Sequence, residues 1–201
     1  LSNLQLLGQE AQFEMAPDER IRALSEMDIE AKNPRWAGVM AVFYPNAEGE
    51  TTLVLILRKT YKGVHSNQVG FPGGKAETLD QSIKHTALRE TEEEVGLAQS
   101  EIEVVKKLTK LYIPPSNFWV QPFIGYVKET PRFIKEEAEV EAILEVSLKQ
   151  FLDDKSVITQ RIDTSYGTML DVPAFYLAEH VVWGATAMML SEVKWALQQL
   201  D

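Results

Sequence analysis

The chain has 201 residues, Lys plus Arg 20 against Asp plus Glu 30, and a formal net charge of −10. That length fits one domain with a core large enough to stand without cross-links, and the acidity argues against nucleic acid or an anionic membrane as the main partner. The absence of cysteine excludes disulfides, thiolate metal sites and a cysteine nucleophile; it fits a reducing compartment, so a cytoplasmic location is expected. No apolar run approaches the roughly 20 residues of a membrane-spanning helix, and Leu1-Ser2-Asn3-Leu4 shows no signal-peptide pattern.

In chain order, residues 1–34 read as helical. Leu4, Leu7, Ala11 and Met15 fall at helical spacing, Pro17 suits the first turn of a second helix ending near Lys32, and Asn33-Pro34 is a breaker. Two apolar runs follow, Gly38 to Tyr44 and Thr51 to Leu57, separated by the turn residues 45–49. They predict a hairpin buried on both faces. Residues 60–76 are loop-like, with glycines at 63, 70, 73 and 74. A helix is expected over about 80–95, with Thr78 and Gln81 as its capping box and Gly96 as its stop. Strands are expected near 102–108, 120–127, 140–146, 156–162 and 172–177, a short helix near 147–153 and a last helix over about 185–200. The irregular alternation indicates α/β or α+β with a mixed sheet.

The segment that carries chemistry is Phe71-Pro72-Gly73-Gly74, then fourteen residues, then Arg89-Glu90-Thr91-Glu92-Glu93-Glu94-Val95-Gly96-Leu97. Glu90 and Glu94 lie on one helix face, with Glu93 beside them. Like charges so placed repel by about 0.2–0.5 kcal/mol per pair. Glu90 and Glu94 also continue the edge of the apolar stripe Ile83, Ala87, Leu88, Thr91 and Val95, which places them at the rim of the core, where a carboxylate needs a counter-charge. Acidic triplets are ordinarily solvated faces. Here Arg89 can hold a neighbouring carboxylate, and Gly73 and Gly74 let the backbone approach, so that a carbonyl can join the shell of a cation. Oxygen ligands alone suit Mg2+ or Mn2+ better than zinc.

This segment resembles the Nudix box, G-x5-E-x7-R-E-U-x-E-E-x-G-U with U aliphatic. Residues 89–97 match its second half, with Thr91 in place of the first aliphatic. In the front half Gly74 and Asp80 each fall one residue early. That longer spacing is similar to the coenzyme A pyrophosphatase branch of the Nudix hydrolases, where FPGGK precedes two acidic residues and T-A-L-R-E. The counterparts are residues 71–75, Glu77 and Asp80, and Thr86 to Glu90. Of the branch's upstream pattern the chain keeps Leu55, Arg58 and Val69 but has Lys59, Gly63 and Asn67 where the pattern has Ser, Arg and Gly. The segments Glu139 to Val146 and Val182 to Ala187 extend the likeness over roughly residues 37–200.

The resemblance implies a Nudix-type α/β/α sandwich over residues 35–201, with residues 1–34 as an N-terminal helical extension. It implies a pyrophosphohydrolase that uses Mg2+ or Mn2+ on a small nucleotide substrate. By the resemblance Glu90 and Glu94 are the main metal ligands, Glu93 a further one and the Gly73 carbonyl another, with Arg89 supporting them. A distal glutamate, Glu139 or Glu141, serves as ligand or base. Arg58, Lys62 and Lys75 are candidate substrate contacts. His65 is read as structural ahead of substrate contact, and Tyr112, Phe118, Trp119, Trp183, Met188 and Met189 as packing. Coenzyme A, cleaved to adenosine 3′,5′-bisphosphate and 4′-phosphopantetheine, is the leading substrate. ADP-ribose, NADH or another dinucleotide is the alternative, and a nucleotide-sensing module without catalysis is the alternative of another class. A homodimer is expected by analogy with the family.

Overall fold

The computed structural model describes residues 4–59, 68–164 and 167–200. The predicted hairpin is present as β1 (Arg35–Pro45) and β2 (Thr51–Arg58), antiparallel with Val42 opposite Val54. Every residue from Ala37 to Tyr44 is buried, so β1 is the central strand. The short strands β3 (Val69–Gly70) and β4 (Gly73–Lys75) follow; β3 pairs with the end of β2, and β4 takes the edge of β1 that β2 leaves, with Val39 opposite Gly73. Helix α3 (Ile83–Val95) comes next, then β5 (Glu103–Lys107), β6 (Leu111–Ile113) and β7 (Phe118–Tyr126). β7 runs parallel to β1 on its other edge, whereas β5 and β6 pair antiparallel with β7. β8 (Val140–Ser147) covers the outer edge of β2. After α4 (Leu148–Leu152), the strands β9 (Val157–Thr164), β10 (Gly167–Leu177) and β11 (His180–Trp183) form a separate antiparallel sheet, and α5 (Gly184–Gln198) closes the described chain.

Alternation along β1 divides the core. Met40, Val42 and Tyr44 face α3 through Ala87 and Val95. Val39, Ala41 and Phe43 face the opposite layer, where Met188, Leu190 and Val193 of α5 pack with Phe175 and Leu177 of the second sheet. The result is the expected mixed α+β sandwich. Gly38 sets the approach of α3: a Cβ there would lie 2.4 Å from the Ile83 carbonyl oxygen.

Several boundaries differ from the sequence expectation. The N-terminal helices are shorter, α1 (Gln9–Phe13) and α2 (Asp18–Ser25), with a 3-10 turn at Glu30–Lys32. Pro17 is extended (ψ 151°) and stands at the N-cap of α2, not within its first turn. The N-cap of α3 is Ser82, whose Oγ accepts the His85 N–H at 3.1 Å. The Thr78–Gln81 capping box does not form, because Asp80 turns back to accept the Glu77 N–H at 2.9 Å and holds that stretch in a loop. Gly96 ends α3 at φ 71°, as expected. Strands β3, β4, β6 and β11 depart from the expectation, β3 and β4 falling in the stretch expected as a loop; each is four residues or fewer and lacks a readable period. No helix among the described residues is long and apolar enough to cross a membrane.

Candidate active site

The two glycines at the start of β4 lie against α3 and bring it to their own backbone. Gly73 adopts φ 148°, and a Cβ there would lie 2.4 Å from the Gly38 carbonyl oxygen, so only glycine fits. Its N–H donates to Glu94 Oε2 at 2.7 Å. A Cβ on Gly74 would lie 2.4 Å from Glu90 Oε2. The missing side chain of Gly73 lets β4 seat on β1, and that of Gly74 leaves room for the Glu90 carboxylate.

This changes the expected depth of the acidic cluster. Glu94 is not at the rim: it is 2% exposed. Glu90 is half-buried and Glu93 is solvent-facing. Burial pushes the Glu94 carboxyl up to about 7, against the lowering effects of Arg58 and the Gly73 N–H. Burial also raises Glu90, with Arg89 opposing it. The nearby Glu139 charge pushes both of them further up.

Arg58 closes the other side of Glu94. Its Nη1 lies 3.2 Å from Glu94 Oε1, and its Nη2 donates to the Gly73 carbonyl at 2.7 Å. The guanidinium thus ties the end of β2 to both β4 and α3, so Arg58 is tied first to the carboxylate site, a role the sequence reading did not assign it. Glu94 Oε1 has no hydrogen-bond donor among the described residues, only this ion pair.

Arg89 organises the outer carboxylates. It donates to both oxygens of Asp80 at 3.0 and 3.1 Å, lies 3.0 Å from Glu90 Oε1, and donates to Glu93 Oε2 at 2.8 Å and to the Lys75 carbonyl at 3.2 Å. Asp80 also accepts the Thr86 hydroxyl at 2.9 Å. These donors, Arg89 first, hold Asp80 well below the usual carboxylate range.

The chain from 134 to 140 crosses the C-terminal end of α3. The Ile134 and Glu136 N–H groups donate to the Val95 and Glu94 carbonyls at 2.9 and 3.0 Å. The Glu139 carbonyl then accepts the Lys59 N–H at 2.9 Å. This crossing carries the exposed Glu139 to the acidic face of α3. Of the two distal candidates, only Glu139 figures among the causes that shift Glu90 and Glu94; Glu141 is exposed on β8, its carbonyl accepting from Lys135 Nζ at 3.0 Å.

Behind β4 lies a cavity of about 500 Å³. Arg58, Gly73, Gly74 and Lys75 border it, so it opens from the carboxylate site, and most of its remaining wall is apolar. Phe118 and Trp183, read as packing, line it; Tyr112 and Trp119 are buried in the core as expected. Lys62 and His65 lie outside the described residues.

The donor set fits a hard cation. Among the described residues no three carboxylate or imidazole side chains form a complete cage. Glu90 and Glu94 offer carboxylate oxygens, one of them buried without a hydrogen bond, while the Gly73 carbonyl accepts from Arg58 at 2.7 Å. Mg2+ ordinarily takes one or two carboxylates and fills its remaining positions with phosphate and water.

Fold and site together define a mixed α+β sandwich with an acidic loop–helix beside a cavity. The comparisons place it more narrowly: the NUDIX domain model matches residues 34–162, and the chain belongs to the Nudix family. It is 35% identical over 141 residues to an uncharacterised Nudix hydrolase, NudL, of Yersinia enterocolitica, covering 70% of this chain and 71% of the relative. It is 31% identical over 177 residues to the mitochondrial Nudix hydrolase 15 of Arabidopsis thaliana, covering 86% of this chain and 61% of that protein. The chain therefore spans less than two thirds of the plant relative's length. A Nudix hydrolase crystal structure from M. smegmatis, RenU, superposes with a TM-score of 0.57 at 13% identity, over 84% of this chain and 88% of that one. That likeness concerns the fold.

Proposed function

We propose that the chain hydrolyses the pyrophosphate bond of a nucleoside diphosphate derivative with the help of Mg2+ or Mn2+, and that coenzyme A or a derivative of it is the preferred substrate. The observation that carries this reading is the buried Glu94 beside Glu90, covered by the Gly73-Gly74 strand and opening onto a cavity that can take a substrate arm. Glu90, Glu94 and the Gly73 carbonyl would hold the cation, with Glu93 as a further ligand. A bound cation would offset phosphate charge and acidify water.

The protein's own groups do the rest. Arg89, fixed by Asp80, keeps Glu90 and Glu93 in place. Arg58 lowers the Glu94 pKa against the stronger effect of burial. Glu139, exposed beside the cluster, accepts the proton of the attacking water. Lys75 at the mouth of the cavity meets phosphate oxygens. The apolar wall excludes competing water from the bound arm. Coenzyme A is favoured over ADP-ribose by the FPGGK-to-TALRE spacing, whose extra residue is accommodated in the loop where Asp80 reaches Arg89.

The test is a panel of coenzyme A, ADP-ribose and NADH with Mg2+, Mn2+ or a chelator, with products identified. Adenosine 3′,5′-bisphosphate from coenzyme A, lost with the chelator, supports the proposal. Fast turnover of ADP-ribose beside none of coenzyme A would replace the substrate, and no turnover of any would leave a nucleotide-binding module.

A further inference from the structure

The second sheet leaves one long edge open. Its order is β11-β10-β9, and no strand among the described residues pairs with the outer side of β9 (Val157–Thr164). Pro173 of β10 shows which backbone groups lie on that side. Proline has no N–H, so the Thr159–Pro173 pair cannot exchange hydrogen bonds. In an antiparallel ladder such pairs alternate with bonded ones, and their residues turn N–H and C=O away from each other. Val157, opposite Phe175, and Arg161, opposite Asp171, are in the same phase. The N–H and C=O groups of Val157, Thr159 and Arg161 therefore point out of the sheet edge. Among the described residues the Arg161 carbonyl is met there by the side chain of the adjacent Gln160, Nε2 at 3.5 Å, in place of a strand.

Other edges are guarded. β5 carries Lys106 and Lys107, and β8 carries Glu141 and Glu145, charges that discourage a further strand. β9 has neither lysine nor proline, and Val157 is 43% exposed. Its Arg161 and Asp163 cancel in charge, and Arg161 is already joined to Asp171 of its own sheet at 2.9 Å. On a chain of net charge −10, two copies repel over most of their surface; this edge is neutral. It is also complementary to itself. Turned about a two-fold axis at Gln160, two β9 strands set Thr159 against Arg161 in hydrogen-bonded pairs and Ile158 against Ile162 in the pairs between, with no like charges directly opposite.

We infer that β9 is the interface of a homodimer, in which the strands of two copies join edge to edge, antiparallel about Gln160, into one continuous sheet. Asp163, which borders the cavity, then lies beside Val157 of the second copy, so the contact reaches the cavity rim.

Thr159→Pro removes an outward N–H and no bond to β10, and proline is accepted on edge strands. Sedimentation velocity of the whole chain over about 1–100 μM should show a monomer–dimer equilibrium. Thr159→Pro should raise the dimer dissociation constant by about 30-fold or more, from the donor lost on each copy, with an unchanged circular dichroism spectrum. The chain has no cysteine, so a single introduced thiol reports its own counterpart. On air oxidation Gln160→Cys should give a disulfide-linked dimer, because its two Cα atoms lie about 4.5 Å apart across the axis. Val157→Cys, far from its counterpart in that register, should not. A wild type that stays monomeric throughout, a dimer that survives Thr159→Pro, or cross-linking by Val157→Cys and not by Gln160→Cys overturns the inference. Should Thr159→Pro misfold, the wild-type equilibrium and the two cysteine variants decide. None of these measurements involves turnover, so failure of the proposed substrate leaves the interface standing.

Discussion

Arg58 and Glu94 stand 3.2 Å apart across the junction of β2 and α3, and the same guanidinium donates to the Gly73 carbonyl. A buried carboxylate is thus held between a cation and a backbone N–H. Its charge is opposed by burial and supported by both neighbours.

Glu94→Gln is expected to separate stability from catalysis. Burial places the Glu94 carboxyl at about 7, so the native state holds this proton more tightly than the unfolded chain. Its contribution is full below the ordinary value of 4.5 and is lost as pH rises through about 7. Urea unfolding at pH 5 and pH 8 should show a smaller loss of stability across that window for the variant than for the wild type. Turnover should fall by at least about 100-fold, and Mg2+ should no longer raise the melting temperature. Undiminished turnover would refute the metal assignment.

Arg58→Met removes the positive charge that lowers the Glu94 pKa. The carboxyl should then protonate at higher pH. The acid limb of the pH–rate profile moves upward, and turnover at pH 7 falls by about 10-fold or more. If Arg58 acted only as a substrate contact, KM would rise while the limb stayed where it is, so a full pH series of kcat and KM decides between the roles.

The two glycines of β4 should respond differently to alanine. At Gly74 the added Cβ meets the end of the Glu90 side chain, which can move; at Gly73 it meets the Gly38 backbone at 2.4 Å, in a φ of 148°. Gly74→Ala should keep the fold and lose about 100-fold in turnover by displacing Glu90. Gly73→Ala should not fold to a cooperative state. Circular dichroism melts beside activity assays check both.

Much of this is legible in the sequence. The unbroken apolar runs of β1 and β2 announce a doubly buried hairpin, and the spacing of Glu90 and Glu94 announces one acidic face. What escaped is long-range. The depth of Glu94 depends on β4 lying over it, which follows from the tertiary approach of Gly73 to Gly38. Arg58 meets Glu94 from another strand, and Gln12 finds Glu192 from the far end of the chain. No local period encodes such pairs. The cap of α3 differs from the expected Thr78 for a related reason: Asp80 is engaged with Arg89 from beyond the helix start, and Ser82 is left to cap.

That engagement of Asp80 supports a last prediction. The carboxylate and the guanidinium are both largely shielded, at 3% and 17% side-chain exposure, so screening by water is limited. Asp80→Asn keeps the shape and one acceptor but removes the carboxylate charge; Glu90, Glu93 and the Lys75 carbonyl still meet Arg89, so the expected cost in denaturant unfolding is about 1.5 kcal/mol. Arg89 holds Asp80 well below its ordinary 3.8, so the native state releases this proton more readily than the unfolded chain. The stabilisation is therefore present above that value and is lost as pH falls beneath it. The wild type should lose stability on acidification below pH 4 more steeply than Asp80→Asn, and the two curves should converge in acid. Curves that stay parallel would show that the pair contributes nothing to the fold. Because Arg89 also positions Glu90 and Glu93, the same variant should lose turnover at neutral pH even where it remains fully folded.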